Sequence, residues 1–78
     1  MTYNLANTAA ANIRAVMAHR GLTIASLAEV LGVTPRTARL KYDGKSEFEL
    51  SELDLLSKWL DMSASELTSP RLILVAAA

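Results

Sequence analysis

Apolar residues recur along most of the chain with the spacing of a helix, not the alternation of a strand. Ile13, Val16, Met17 and Arg20 fall at i, i+3, i+4 and i+7, so one face is apolar as far as Met17. Ala9, Ala10 and Ala11 precede it with the highest helix propensity, and Asn7 or Thr8 offers a cap. The spacing predicts a first helix from about Thr8 to His19, stopped at Gly21. Ile24, Leu27, Ala28 and Leu31 repeat the pattern between Thr23, a good N-cap, and Gly32. A third helix opens with Thr34 as cap and Pro35 at the first position, where a missing N–H costs nothing. It carries Arg36, Arg39 and Lys41 and is expected to end near Gly44. So short a link around Gly32 forces a sharp, roughly perpendicular pair of helices.

Lys45 to Glu49 reads as a polar loop with one aromatic, Phe48. A fourth helix, capped by Glu49 or Ser51, runs to about Leu60 with Leu53, Leu56 and Leu60 facing inward and Trp59 packing beside them. Ser63 followed by Glu66 is a capping box and starts a short fifth helix ending near Leu67. Pro70 breaks the pattern, which separates residues 1–69 from a tail at 70–78. Within the tail, Arg71 to Val75 reads as a strand. A lone strand leaves a row of unpaired backbone groups. It can pair with Met1 to Leu5, pair with its own copy across a two-fold axis, or remain a disordered tail. Dimerisation through Leu72, Ile73, Leu74 and Val75 is the favoured reading.

Composition narrows the function. Seventy-eight residues make one small domain, and 51% hydrophobic with 21% charged residues argues against disorder. With no cysteine there is no disulfide framework, thiolate metal site or cysteine nucleophile. His19 stands alone, without a second metal ligand at suitable spacing. Asp43, Glu47, Glu49, Glu52 and Asp54 lack the alternate-ligand and glycine pattern of a calcium loop and read as a solvated acidic face. No nucleophile–base or carboxylate pair comes with a pocket motif, so neither an enzyme nor a cofactor, metal or small-molecule ligand is expected. Met1 to Leu5 has no basic start or apolar run, and Leu72 to Ala78 is too short to cross a bilayer. A soluble, cytoplasmic protein without membrane contact is expected.

Eight Lys and Arg balance eight Asp and Glu, which excludes a polybasic arm or an acidic tail. The balance is uneven along the chain. Val33 to Lys45 carries +3 (Arg36, Arg39, Lys41 and Lys45 against Asp43), whereas Ser46 to Pro70 carries −5 (Lys58 against six acids). The third helix is therefore a positive patch with the acids downstream, which suits an oriented approach to nucleic acid with modest non-specific affinity.

Two short helices joined by a tight glycine turn, the second basic, have a shape that enters a major groove. The stretch Leu22 to Thr37 resembles the helix-turn-helix of lambda-repressor-like (Cro and Xre-type) transcription regulators. Ala28 matches the small residue where the helices cross, Gly32 the turn glycine four residues later, and Val33 the hydrophobic residue after it. Leu53 to Leu67, with Met62-Ser63 as junction, resembles the fourth and fifth helices, so the likeness spans about Asn12 to Leu67. It implies an all-α, five-helix lambda-repressor-like domain, to which this chain adds a short C-terminal β-strand.

The resemblance also implies sequence-specific binding to a double-stranded DNA operator by a Cro-like repressor. A homodimer, as some Cro-type proteins form, in the cytoplasm of a bacterial host and from a phage or other mobile element is expected. Thr34, Pro35, Arg36, Thr37 and Arg39 would lie nearest the base edges, and an arginine fork on guanine is worth about 1–3 kcal/mol of discrimination. Thr23 and Ser26 would sit over the sugar–phosphate backbone, with Lys41, Tyr42, Lys45 and Ser46 as further phosphate contacts. The chain departs from the family's pattern at several positions. Ile24 stands where relatives place a polar residue, and Ala38 is smaller than the usual branched aliphatic residue. Leu40 and Lys41 reverse the usual order of an exposed residue and then a buried one, with Tyr42 expected to turn inward in compensation. The same fold also serves antitoxin or adaptor-type protein-interaction modules and DNA-bending excision factors, which are the alternative readings.

Overall fold

The structure, a computed structural model, describes residues 5–69, which form α1 (Leu5–Arg20), α2 (Ile24–Leu31), α3 (Pro35–Tyr42), α4 (Leu50–Leu60) and α5 (Ala64–Leu67). Helix α1 starts earlier than its alanine run suggests. The helix extends back through Asn7 and Thr8 to Leu5 although neither is a strong helix former, and Thr8 becomes a buried interior residue instead of a cap. A strand from Met1 to Leu5 is thereby excluded at Leu5. Residues 1–4 lie outside the described residues, as do Arg71 to Val75 with the proposed dimer residues Leu72, Ile73, Leu74 and Val75. The described fold is all-α.

The other boundaries follow from local chemistry. Thr23 caps α2 by accepting the Ser26 N–H at 3.2 Å. Gly32 ends it in the left-handed region at φ 68°, donating to Ala28 and Glu29 carbonyls. A Cβ built on Gly32 would meet nothing within 4 Å, so backbone conformation and not crowding demands glycine there. Thr34 caps α3, with Pro35 in the first turn, and the helix stops at Tyr42, two residues before the expected Gly44. Asp43 is its C-cap. Glu49, not Ser51, caps α4, and Glu52 closes back onto the Glu49 N–H at 2.8 Å. The Ser63–Glu66 capping box opens α5.

All five helices contribute to one core: Ile13, Val16 and Met17 from α1, Leu27, Ala28 and Leu31 from α2, Ala38 from α3, Leu56 and Leu60 from α4, and Leu67 from α5. Each fully buried leucine contributes about 1.5–3 kcal/mol. Leu53, Phe48, Tyr42 and Trp59 pack half-buried at its margin. Two side chains of α1 then tie down helix ends. Asn12, fully buried, donates from Nδ2 to the carbonyls of Leu67 (2.6 Å) and Ser69 (2.9 Å), and Arg20 donates to Leu60 O at 2.6 Å. Ala38 is the one apolar residue of α3 fully buried in the core, and Pro35, Arg36, Arg39 and Leu40 are exposed, so that helix lies at the surface of the domain with one face outward.

Candidate nucleic-acid interface

Helix α3 leans on α2 and α1 through Ala38, whose small side chain permits a close approach. Thr34, Pro35, Arg36, Arg39 and Leu40 are exposed, and Thr37 is half-buried. Thr34 and Thr37 are drawn together: the Thr34 hydroxyl accepts the Thr37 N–H at 3.2 Å and donates to the Thr37 hydroxyl at 3.1 Å. Arg36 makes no hydrogen bond or ion pair with the described residues. Leu40 stands one turn beyond it, 40% exposed. A guanidinium and an isobutyl group thus stand together on the outer face of one helix.

Arg39 is less free. Its Nε donates to the Asp43 carboxylate at 3.2 Å, an i,i+4 ion pair, and its guanidinium carbon lies 5.8 Å from the Tyr42 ring centroid. Arg14 of α1 approaches the same ring at 6.0 Å and donates to Tyr42 O at 2.7 Å, satisfying a terminal carbonyl of α3. Tyr42 is half-buried and packs against the core, as the reversed order before it suggests. At the start of α2, the Thr23 and Ser26 hydroxyls lie 3.0 Å apart, Thr23 exposed and Ser26 half-buried. Lys45 is exposed and Ser46 half-buried, and both backbone N–H groups donate to Leu40 O (2.9 and 3.2 Å), which wraps the turn after α3 tightly onto its last residues.

Lys41 requires a correction. It is not on the outer face with Arg36 and Arg39 but 7% exposed, its ammonium bonded to Glu52 Oε1 at 2.8 Å and to Glu47 O at 2.9 Å. Helix geometry fixes this: with Ala38 inward, the residue three positions on points inward too, whatever its chemistry. Glu52 correspondingly leaves the solvated acidic face and becomes the buried counter-charge. Lys41 is therefore no phosphate contact. Among the described residues no group of three His, Cys, Asp or Glu side chains could hold a metal ion, and no helix is long and apolar enough to cross a membrane.

A family model for the Cro/C1-type helix-turn-helix DNA-binding domain matches residues 12–70. The chain belongs to that family. No curated protein and no solved structure matches it significantly. The family is non-enzymatic and DNA-binding, and within the matched span α2 and α3 stand on either side of Gly32. Three residues stand at or behind the outer face of α3 without being among the site residues expected from the sequence: Leu40, Arg14 and Glu52. Leu40 could have been found from the helical wheel, being i+4 to Arg36. Arg14 and Glu52 could not, because their partners Tyr42 and Lys41 lie 28 and 11 residues away and meet them only through the tertiary fold.

Proposed function

We propose that the chain is a repressor-type transcription regulator that occludes a DNA operator by laying α3 in the major groove. The observation that carries this reading is the outer face of α3, where Arg36 stands exposed and unpaired beside exposed Thr34, Pro35 and Leu40. An arginine fork matches guanine O6 and N7, and an exposed apolar side chain next to it suits a thymine methyl. Arg39 and Thr37 complete the base-facing set once Arg39 leaves Asp43. Thr23, Ser26, Tyr42, Lys45 and Ser46 contact sugar and phosphate, aided by the free amides at the start of α2.

The repressor acts as a homodimer closed through Leu72, Ile73, Leu74 and Val75, which sets two α3 helices on half-sites one helical turn apart, roughly 10 bp. Selection of binding sites from a random duplex pool tests the whole reading. A palindromic consensus is expected, and Arg36→Ala should cost about 1–3 kcal/mol on that site while relaxing preference at one base pair. Unchanged specific affinity in both Arg36→Ala and Arg39→Ala would remove α3 as the reader. A chain ending at Ser69 should sediment as a monomer, and an unchanged dimer would acquit the tail.

A further inference from the structure

Among the described residues, the buried charges are Lys41 and Glu52, and they meet where α3, the following loop and α4 converge. Replacing a buried ion pair by apolar side chains of similar volume is commonly neutral or stabilising, so packing alone gives no reason for a lysine in this position. What an ammonium supplies here, and an apolar side chain does not, is several donors on one charge. One ammonium reaches Glu47 O at 2.9 Å and Glu52 Oε1 at 2.8 Å and lies 6.0 Å from the Phe48 ring centroid. The same Oε1 accepts the Glu49 N–H at 2.8 Å. Three consecutive residues at the far end of the loop are thus gathered on one charge pair.

The near end is held differently, by backbone bonds from Lys45 and Ser46 to Leu40 O and from Gly44 to Lys41 O at 3.1 Å. Between these two anchors lie the Lys45 ammonium and the Ser46 hydroxyl, exposed and half-exposed. We propose that Lys41 is a positioning residue for DNA binding: its buried pair with Glu52 fixes the loop from Asp43 to Glu49 so that Lys45 and Ser46 meet a phosphate in one preset geometry. This rests on the phosphate role given to Lys45 and Ser46 above. Presetting matters because an unrestrained lysine loses rotamer and loop freedom on binding, and a rigid loop has surrendered part of that freedom already.

The test is a cycle of substitutions. Lys41→Met/Glu52→Gln keeps the volume, the net charge and the acceptor for the Glu49 N–H, but removes the ammonium and the bond to Glu47 O. Affinity for a mixed-sequence duplex is measured against salt concentration at a temperature where circular dichroism shows every variant folded. In the parent chain Lys45→Ala should lower the slope of log affinity on log salt by about 0.9, one phosphate contact. In the Lys41→Met/Glu52→Gln background the slope should already be reduced, and Lys45→Ala should change it by less than half as much. If Lys45→Ala acts fully in both backgrounds, the positioning role is overturned and the phosphate role stands. If it does nothing in the parent chain, the phosphate role fails and takes the proposal with it. Should the methionine variant not fold, Lys41→Leu/Glu52→Gln, which likewise carries no donor at position 41, reads the same cycle. Failure of both to fold makes the pair purely structural and overturns the proposal.

Discussion

Asp43→Asn should tighten DNA binding, and the structure bounds the gain. Arg39 and Asp43 form a surface pair, their side chains 63% and 32% exposed, with 3.2 Å between Nε and Oδ2. A pair of this kind is worth about 0.3–0.5 kcal/mol, which binding must surrender if Arg39 is to reach a base. A carboxylate about 10 Å from a phosphate in water adds about 0.4 kcal/mol of repulsion, cut to roughly a third by physiological salt. The sum is about 0.5 kcal/mol, a two- to threefold gain in affinity. Fold stability should hardly move, because losing the pair is offset by removing an anion from the C-terminal end of α3, worth about 0.3–1 kcal/mol. Fluorescence anisotropy on the selected duplex measures the gain, with Glu47→Gln as the control, since Glu47 is an exposed acid in the same loop. A gain no larger than that of Glu47→Gln would show that loss of negative charge, not release of Arg39, is responsible. No gain at all would refute the restraint outright.

The remaining predictions concern stability and are read by thermal or urea unfolding. Lys41→Met alone strands a buried carboxylate and should cost about 3–5 kcal/mol; a cost below 1 kcal/mol would mean that Glu52 reaches water. Asn12→Ala removes a buried hydrogen bond to the last carbonyl of α5, Leu67 O, and a part-buried one to Ser69 O just beyond it, and should cost about 2–3 kcal/mol, with amide exchange rising first in α5. Asp61 closes α4 in the left-handed region at φ 53°. Asp61→Asn keeps a residue type tolerated there and removes an anion from the helix C-terminus, so it should stabilise by about 0.5 kcal/mol and raise Tm by about 2–4 °C. A lower Tm would count against both arguments.

The features legible in the sequence are those whose determinants are local. Thr23, Thr34 and Ser63 as caps, and Gly32 as a left-handed terminator, act within four residues of where they stand, so the helix-turn-helix and α5 were readable directly. The start of α1 is not local in this sense: Asn7 and Thr8 are cap residues by type, yet Thr8 is buried inside the helix by the fold around it. Lys41 is hidden from the linear pattern for a different reason. A charge on a basic helix reads as solvent-facing by default, and its counter-charge on the next helix reads as one of a run of exposed acids. The reversed order of Leu40 and Lys41 was visible, but the linear pattern does not say whether the helix rotates to bury leucine or keeps its phase and buries lysine. Ala38 and Tyr42 settle it, since both pack inward only in the second arrangement.

With Lys41 withdrawn into the protein and Arg39 partly neutralised, the face that α3 offers carries little charge beyond Arg36. Few counterions would be displaced when that face rests on an arbitrary stretch of duplex, so each such visit should be brief. The chain would then find its operator by many short dissociations and returns, with little sliding along the groove, and competing genomic DNA would sequester little of it.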